Sequence, residues 1–107
     1  IAGIISAYGT LTLSSNEQLK NIKGRVLILQ GASDPFVSKQ RLNEFSTALD
    51  KNSVDWEMVN YGGAKHSFSN PYADSYGIEG IAFNELAEQR AWARSLTFLE
   101  NIFSEDF

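Results

Sequence analysis

Arg25-Val26-Leu27-Ile28-Leu29-Gln30-Gly31-Ala32-Ser33-Asp34-Pro35 is the stretch on which the fold turns. Four consecutive apolar residues, Val26 to Leu29, in a run introduced by Lys23-Gly24 and stopped at Gly31, read as a strand covered on both faces, the kind found inside parallel sheets. Alternation of polar and apolar residues, the mark of a sheet with one wet face, is missing. Outward from this strand, Ile1 to Ala7 is a second apolar run, also read as buried on both faces, and Val54 to Tyr61 a third, more mixed one. Helix-capable or polar segments separate the three runs, which is the pattern of β-α-β units around a parallel sheet. The expected class is therefore α/β.

Between the second and third runs, Ser38 can cap a helix whose apolar positions Leu42, Phe45 and Leu49 share one face. Asn84 can cap the last and longest helix. There Leu86, Ala87, Ala91, Leu99 and Ile102 form a broad stripe, widened by Trp92, Leu96 and Phe103, with early Glu85 and Glu88 and later Arg90 and Arg94 suiting the helix dipole. Residues 11 to 22 read as a polar connection. Residues 62 to 83 form a loop of about twenty residues, longer than packing alone requires and so a candidate functional loop.

Bulk properties bound the possibilities. At 107 residues there is room for one domain with one modest core. Nine basic against thirteen acidic residues give a net charge of -4, with Lys and Arg scattered, so no nucleic-acid partner is expected. No apolar run approaches the roughly 20 residues of a membrane helix, so no membrane partner is expected either. The chain lacks cysteine, which excludes disulfides, thiolate metal sites and a cysteine nucleophile within these residues. It starts without methionine on an apolar segment, and is read as a piece of something longer.

Ligand sites in parallel sheets form where loops leave the carboxyl ends of the strands. The second strand runs into Asp34-Pro35 and the third into Gly62-Gly63-Ala64-Lys65-His66-Ser67-Phe68. A right-handed crossover sets these two strands side by side, so the Asp34 carboxylate and the His66 imidazole can meet. Histidine takes and returns a proton near neutral pH, and a carboxylate fixes its tautomer and stabilises the imidazolium. Taken singly, Asp-Pro is a common turn pair and a lone histidine in a Gly-rich loop is often a bystander. Their joint placement at neighbouring strand ends favours a functional pair, in the Asp-then-His order that follows a nucleophile in many hydrolases.

The stretches Gly31-Ala-Ser-Asp34-Pro35-Phe-Val37, Tyr61-Gly-Gly-Ala-Lys-His66-Ser-Phe68-Ser-Asn70-Pro71, Ala82-Phe83-Asn84-Glu-Leu-Ala87 and Arg90-Ala-Trp92 resemble the C-terminal part of dienelactone hydrolase family proteins. The resemblance covers nearly the whole chain and is most specific around His66. It implies the C-terminal part of an α/β-hydrolase fold, about three parallel strands flanked by helices, without the nucleophile-bearing N-terminal part. It also implies Asp34 as triad acid, His66 as triad base, and Tyr8, Phe36 and Asn70 beside the substrate. A cytoplasmic enzyme with no cofactor and no metal is the corresponding expectation.

Two departures shape the expected chemistry. Dienelactone hydrolases proper carry an arginine four residues after the histidine, where this chain has Asn70. An amide cannot replace a bidentate guanidinium on an anionic group, so a neutral ester or lactone is expected. No Gly-x-Ser-x-Gly or Gly-x-Cys-x-Gly elbow occurs, so serine or cysteine nucleophile and oxyanion hole are expected upstream, and the isolated chain is expected to be inactive. The main rival is a small non-catalytic α/β module binding a ligand or partner at the same strand ends. A metal hydrolase with His66, Asp74 and Glu79 is disfavoured by the single histidine and the lack of cysteine. The apolar edge of residues 1 to 7, without a charged gatekeeper, makes self-association through that strand an expectation.

Overall fold

The computed structural model describes residues 3–7 and 24–105. Three parallel strands, β1 (Gly3–Ala7), β2 (Arg25–Gly31) and β3 (Asp55–Tyr61), lie in the order β1-β2-β3, so the most apolar strand is the central one. In register, Gly3 pairs with Arg25 and Arg25 with Asp55, which brings Gly31 and Tyr61 level at the carboxyl end. Two helices follow the strands: α1 (Lys39–Lys51) joins β2 to β3, and α2 (Glu85–Glu105) closes the described chain. This is the expected α/β architecture. The expected connection at residues 11 to 22 lies outside the described residues.

Each face of the sheet carries its own core because successive β2 side chains point in opposite directions. Val26 and Ile28 meet Val37, Leu49 and Val54 on the α1 side, with Leu42 and Phe45 packed against them. Leu27 and Leu29 meet Tyr61, Phe68, Ala87, Ala91, Phe98 and Ile102 on the α2 side. Full burial of Leu27 and Ile28, at 0% and 2% exposure, stabilises the fold by about 1.5–3 kcal/mol each. The Ser38 hydroxyl accepts a hydrogen bond from the Arg41 N–H at 3.1 Å, and the Asn84 side-chain oxygen one from the Ala87 N–H at 3.0 Å, so both expected caps form.

The long helix buries Ala87, Ala91 and Ile102 of its expected stripe but is turned so that the rest of that stripe faces outward. Ala87, Ala91, Phe98 and Ile102 are buried, whereas Leu86, Trp92, Leu96, Leu99 and Phe103 are exposed. Small Ala87 and Ala91 allow close approach to the sheet, and Phe98, absent from the expected stripe, fills the space beyond them. Arg94 lies mid-helix and pairs with Glu57 of β3 rather than serving the helix terminus. Burial on both faces was expected of the first strand. Ile5 is instead 36% exposed, because β1 is a terminal strand among the described residues and has a neighbour on one side only.

Candidate functional site

Two loops leave the carboxyl ends of β2 and β3 and are laced together through the main chain. The Ala32 N–H donates to the Tyr61 carbonyl and the Ser33 N–H to the Ala64 carbonyl, both at 2.9 Å. Gly31 makes this approach possible: a Cβ there would fall 2.5 Å from the Ala64 oxygen and 2.7 Å from the Lys65 oxygen. The loop carrying Asp34 and the loop carrying His66 therefore share one backbone scaffold.

The His66 loop is anchored in the core by Ala64, Phe68 and Ala73, each with 0% exposure. Ser67, with φ 61°, turns the chain in the left-handed region directly after His66, and the Asn70 N–H donates back to the Ser67 carbonyl. The His66 N–H donates to the Gly80 carbonyl at 3.0 Å and the Ala82 N–H to the His66 carbonyl at 3.3 Å, so the returning strand-like segment clamps His66 from the far side. Gly80, with φ 91°, packs where a Cβ would lie 2.4 Å from Pro35 Cγ, and so ties the return segment to the Asp34 turn. Within this loop residues Ala73–Tyr76 form a short 3-10 helix.

This scaffold brings Asp34 and His66 together. Nδ1 of His66 lies 2.9 Å from Oδ2 of Asp34, whose side chain is 1% exposed against 19% for His66. An ionised carboxylate can only accept, so the contact selects the tautomer with the proton on Nδ1. Nε2 has no hydrogen-bond partner among the described residues and is left with the acceptor lone pair. Oδ1 of Asp34 accepts the Phe36 N–H at 2.8 Å, and Oδ2 also accepts from the Gln30 side-chain amide at 3.3 Å. The carboxylate is thereby held in a single orientation while buried.

The other expected site residues are placed as follows. Phe36, 50% exposed, stands edge-on to the His66 ring with centroids 5.2 Å apart. Asn70 directs its amide to the Tyr76 hydroxyl and accepts the Tyr72 N–H, both at 2.9 Å, so its polar head is occupied by its own loop. Tyr8 lies outside the described residues. The sequence reading gave Gln30, Gly31 and Gly80 no role at the site; a polar residue ending an apolar strand was the available signal for Gln30. Among the described residues no group of three or more His, Cys, Asp or Glu side chains is placed to hold a metal ion, and no helix is long and apolar enough to cross a membrane.

Fold and strand-end geometry define a class: a parallel α/β protein with a carboxylate–imidazole pair where its strands end. The chain belongs to the dienelactone hydrolase family, whose sequence profile matches residues 1–103. An uncharacterized protein of Caenorhabditis elegans is 29% identical over 105 residues, covering 97% of this chain and 66% of that protein. A Bradyrhizobium protein named "Probable 2-oxo-3-(5-oxofuran-2-ylidene)propanoate lactonase" is 28% identical over 74 residues, 69% of this chain and 27% of its own length. Among solved structures, a dienelactone hydrolase-like promiscuous phosphotriesterase from metagenomic libraries superimposes with a TM-score of 0.89 at 30% identity. That match covers 94% of this chain and 42% of the solved one. The chain thus spans about two thirds or less of these relatives, and lies in a family with hydrolases of lactones and esters.

Proposed function

We propose that Asp34 and His66 are the acid and the base of an acyl-transfer hydrolase acting on neutral esters or lactones, with the nucleophile supplied by a part of the protein outside this sequence. The observation that carries the reading is the 2.9 Å contact of His66 Nδ1 with the buried Asp34 carboxylate, which turns the lone pair of Nε2 away from the carboxylate. Nε2 takes the proton of a serine hydroxyl or cysteine thiol as that atom bonds to the acyl carbon. The same proton then passes to the departing alkoxide. Water attacks the acyl-enzyme in the second half, again giving its proton to Nε2, and the nucleophile recovers a proton when the acid leaves.

The absence of any Gly-x-Ser-x-Gly or Gly-x-Cys-x-Gly elbow in the sequence supports a nucleophile contributed from elsewhere, and so does the share of the solved relative that the chain spans. Phe36 edges the imidazole with an apolar ring, and Asn70 offers no charge to a substrate carboxylate, which supports a neutral substrate. Tyr8 joins the substrate side by family resemblance. The terminal position of β1 among the described residues, with Ile5 exposed, supports self-association of the 107-residue chain through that strand.

A chimera in which the N-terminal part of the solved phosphotriesterase precedes this chain tests the reading, with p-nitrophenyl acetate, a neutral lactone and a phosphotriester as substrates. Ester or lactone turnover is expected, falling by about 10³–10⁴ in His66→Ala and Asp34→Asn, while the 107-residue chain alone is inactive. Equal turnover by the chimera and its His66→Ala variant would sink the reading.

A further inference from the structure

β2 is apolar from Val26 to Leu29 and then, still inside the core, places a glutamine. Gln30 is 2% exposed and projects to the same side of the sheet as Val26 and Ile28, where a valine or isoleucine would satisfy the packing. A buried amide costs stability unless its polar atoms are bonded, so a glutamine held at such a position signals a demand other than packing. Its Nε2 lies 3.3 Å from Oδ2 of Asp34 and 3.4 Å from the Gly31 carbonyl oxygen. Both neighbours are acceptors, so the nitrogen must face them; the flipped amide would set its oxygen against two oxygens. Asp34 Oδ2 therefore receives two donors, Gln30 Nε2 and His66 Nδ1.

We propose that Gln30 is a positioning residue for the Asp34–His66 pair: its amide pins the Asp34 carboxylate from beneath the sheet end so that Oδ2 faces the imidazole and holds the proton on Nδ1. The Phe36 N–H fixes Oδ1 from the turn side, and Gln30 fixes Oδ2 from the strand. Without the amide, only the Phe36 N–H holds the carboxylate apart from the imidazole itself, so the carboxylate can pivot about Oδ1, which weakens the selection of the Nδ1–H tautomer. Donation by a neutral amide also places no competing positive charge beside the imidazole. Gln30 touches neither substrate nor reacting atoms, and acts only through Asp34.

This inference rests on reading Asp34 and His66 as acid and base, yet it is tested with no substrate present. The 107-residue chain has one histidine, so its ring ¹⁵N shifts report His66 alone. Gln30→Met keeps the length and apolar packing of the strand but removes the donor. Above the pKa of the ring, the ratio of the Nδ1–H to the Nε2–H tautomer is expected to fall by about tenfold, with the cooperative melt retained. An unchanged tautomer ratio would overturn the inference. Gln30→Glu sets a second carboxylate against Oδ2, and the His66 titration is expected to move up by about one pH unit; a titration curve superimposable on that of the parent chain would overturn it too. Loss of the folded state in both variants would assign Gln30 to the framework, and so also count against it. An inactive chimera together with a shifted tautomer would sink only the hydrolase reading, whereas an active chimera with an unmoved tautomer would sink only the role of Gln30.

Discussion

Gly31 decides whether the two halves of the site can meet. Its missing side chain lets the Ala64 and Lys65 carbonyls pass against β2, one residue short of His66. The contacted atoms are backbone and cannot swing aside as a flexible side chain would. Gly31→Ala is expected to cost about 1–3 kcal/mol in urea unfolding, as overpacked interiors do. It is also expected to lengthen the separation of His66 from Asp34, visible as loss of the Nδ1–H tautomer preference. Unchanged unfolding and an unchanged tautomer would show that the loops are not wedged at this point. Gly80 serves the parallel purpose on the other side, at a left-handed φ and in contact with Pro35.

At the scale of elements, β3 ends in Tyr61, whose ring packs 5.6 Å from that of Phe68 and whose buried hydroxyl has no hydrogen-bond partner among the described residues. Burial pushes this phenol above its ordinary value of 10.0, with neighbouring Arg94 opposing the rise and Glu57 adding to it. The phenol is neutral in the folded state, while the unfolded chain ionises it near the ordinary value. Stability contributed by the neutral phenol is therefore complete below pH about 10 and is lost as pH climbs through the folded-state value. Tyr61→Phe is expected to leave stability at pH 7 equal or about 1 kcal/mol higher, and to flatten its decline on the alkaline side, in denaturant melts taken across pH. A marked loss at pH 7 would show that the hydroxyl has a partner after all.

The strands, both caps and the Asp34–His66 pairing were legible because each depends on local signals: an unbroken apolar run, a side chain that can accept at a helix start, a turn after a strand. The rotation of α2 was not. Its sequence offers two apolar faces, Ala87-Ala91-Phe98-Ile102 and Trp92-Leu96-Leu99-Phe103, and only contact with the sheet chooses between them. The expected stripe drew on both: its Ala87, Ala91 and Ile102 are buried, its Leu86 and Leu99 are exposed, and Phe98 joins the buried face. Gly31 and Gly80 were illegible for a related reason. What a glycine excludes is a neighbour distant in sequence, and the neighbour is known only once the loops are folded.

For the whole molecule, the fold of a family member is present at a TM-score of 0.89 over 42% of the solved relative's length. The chain carries two cores and a complete strand-end pair within that span. It also shows apolar surface at Ile5, Trp92 and Phe103, exposed by 36%, 64% and 60%. Among the described residues β1 is a terminal strand without charge and with an exposed isoleucine, features that favour pairing with another strand. Sedimentation equilibrium of the 107-residue chain at high concentration is expected to show association, reduced in Ile5→Lys, which places a charge on the strand. A clean monomer for the parent chain would count against pairing through β1.

The cross-loop ties between Ala32 and Tyr61 and between Ser33 and Ala64 are made by peptide groups alone. The exposed residues 32 and 33 can thus drift in identity without moving the aspartate relative to the histidine, provided the glycine between the loops stays. An aspartate–histidine pair whose loops are tied by main-chain atoms is transplantable. Any two adjacent parallel strands ending level, as Gly31 and Tyr61 do, offer a graft site for both loops, and a designer would need to copy side chains at only a few positions.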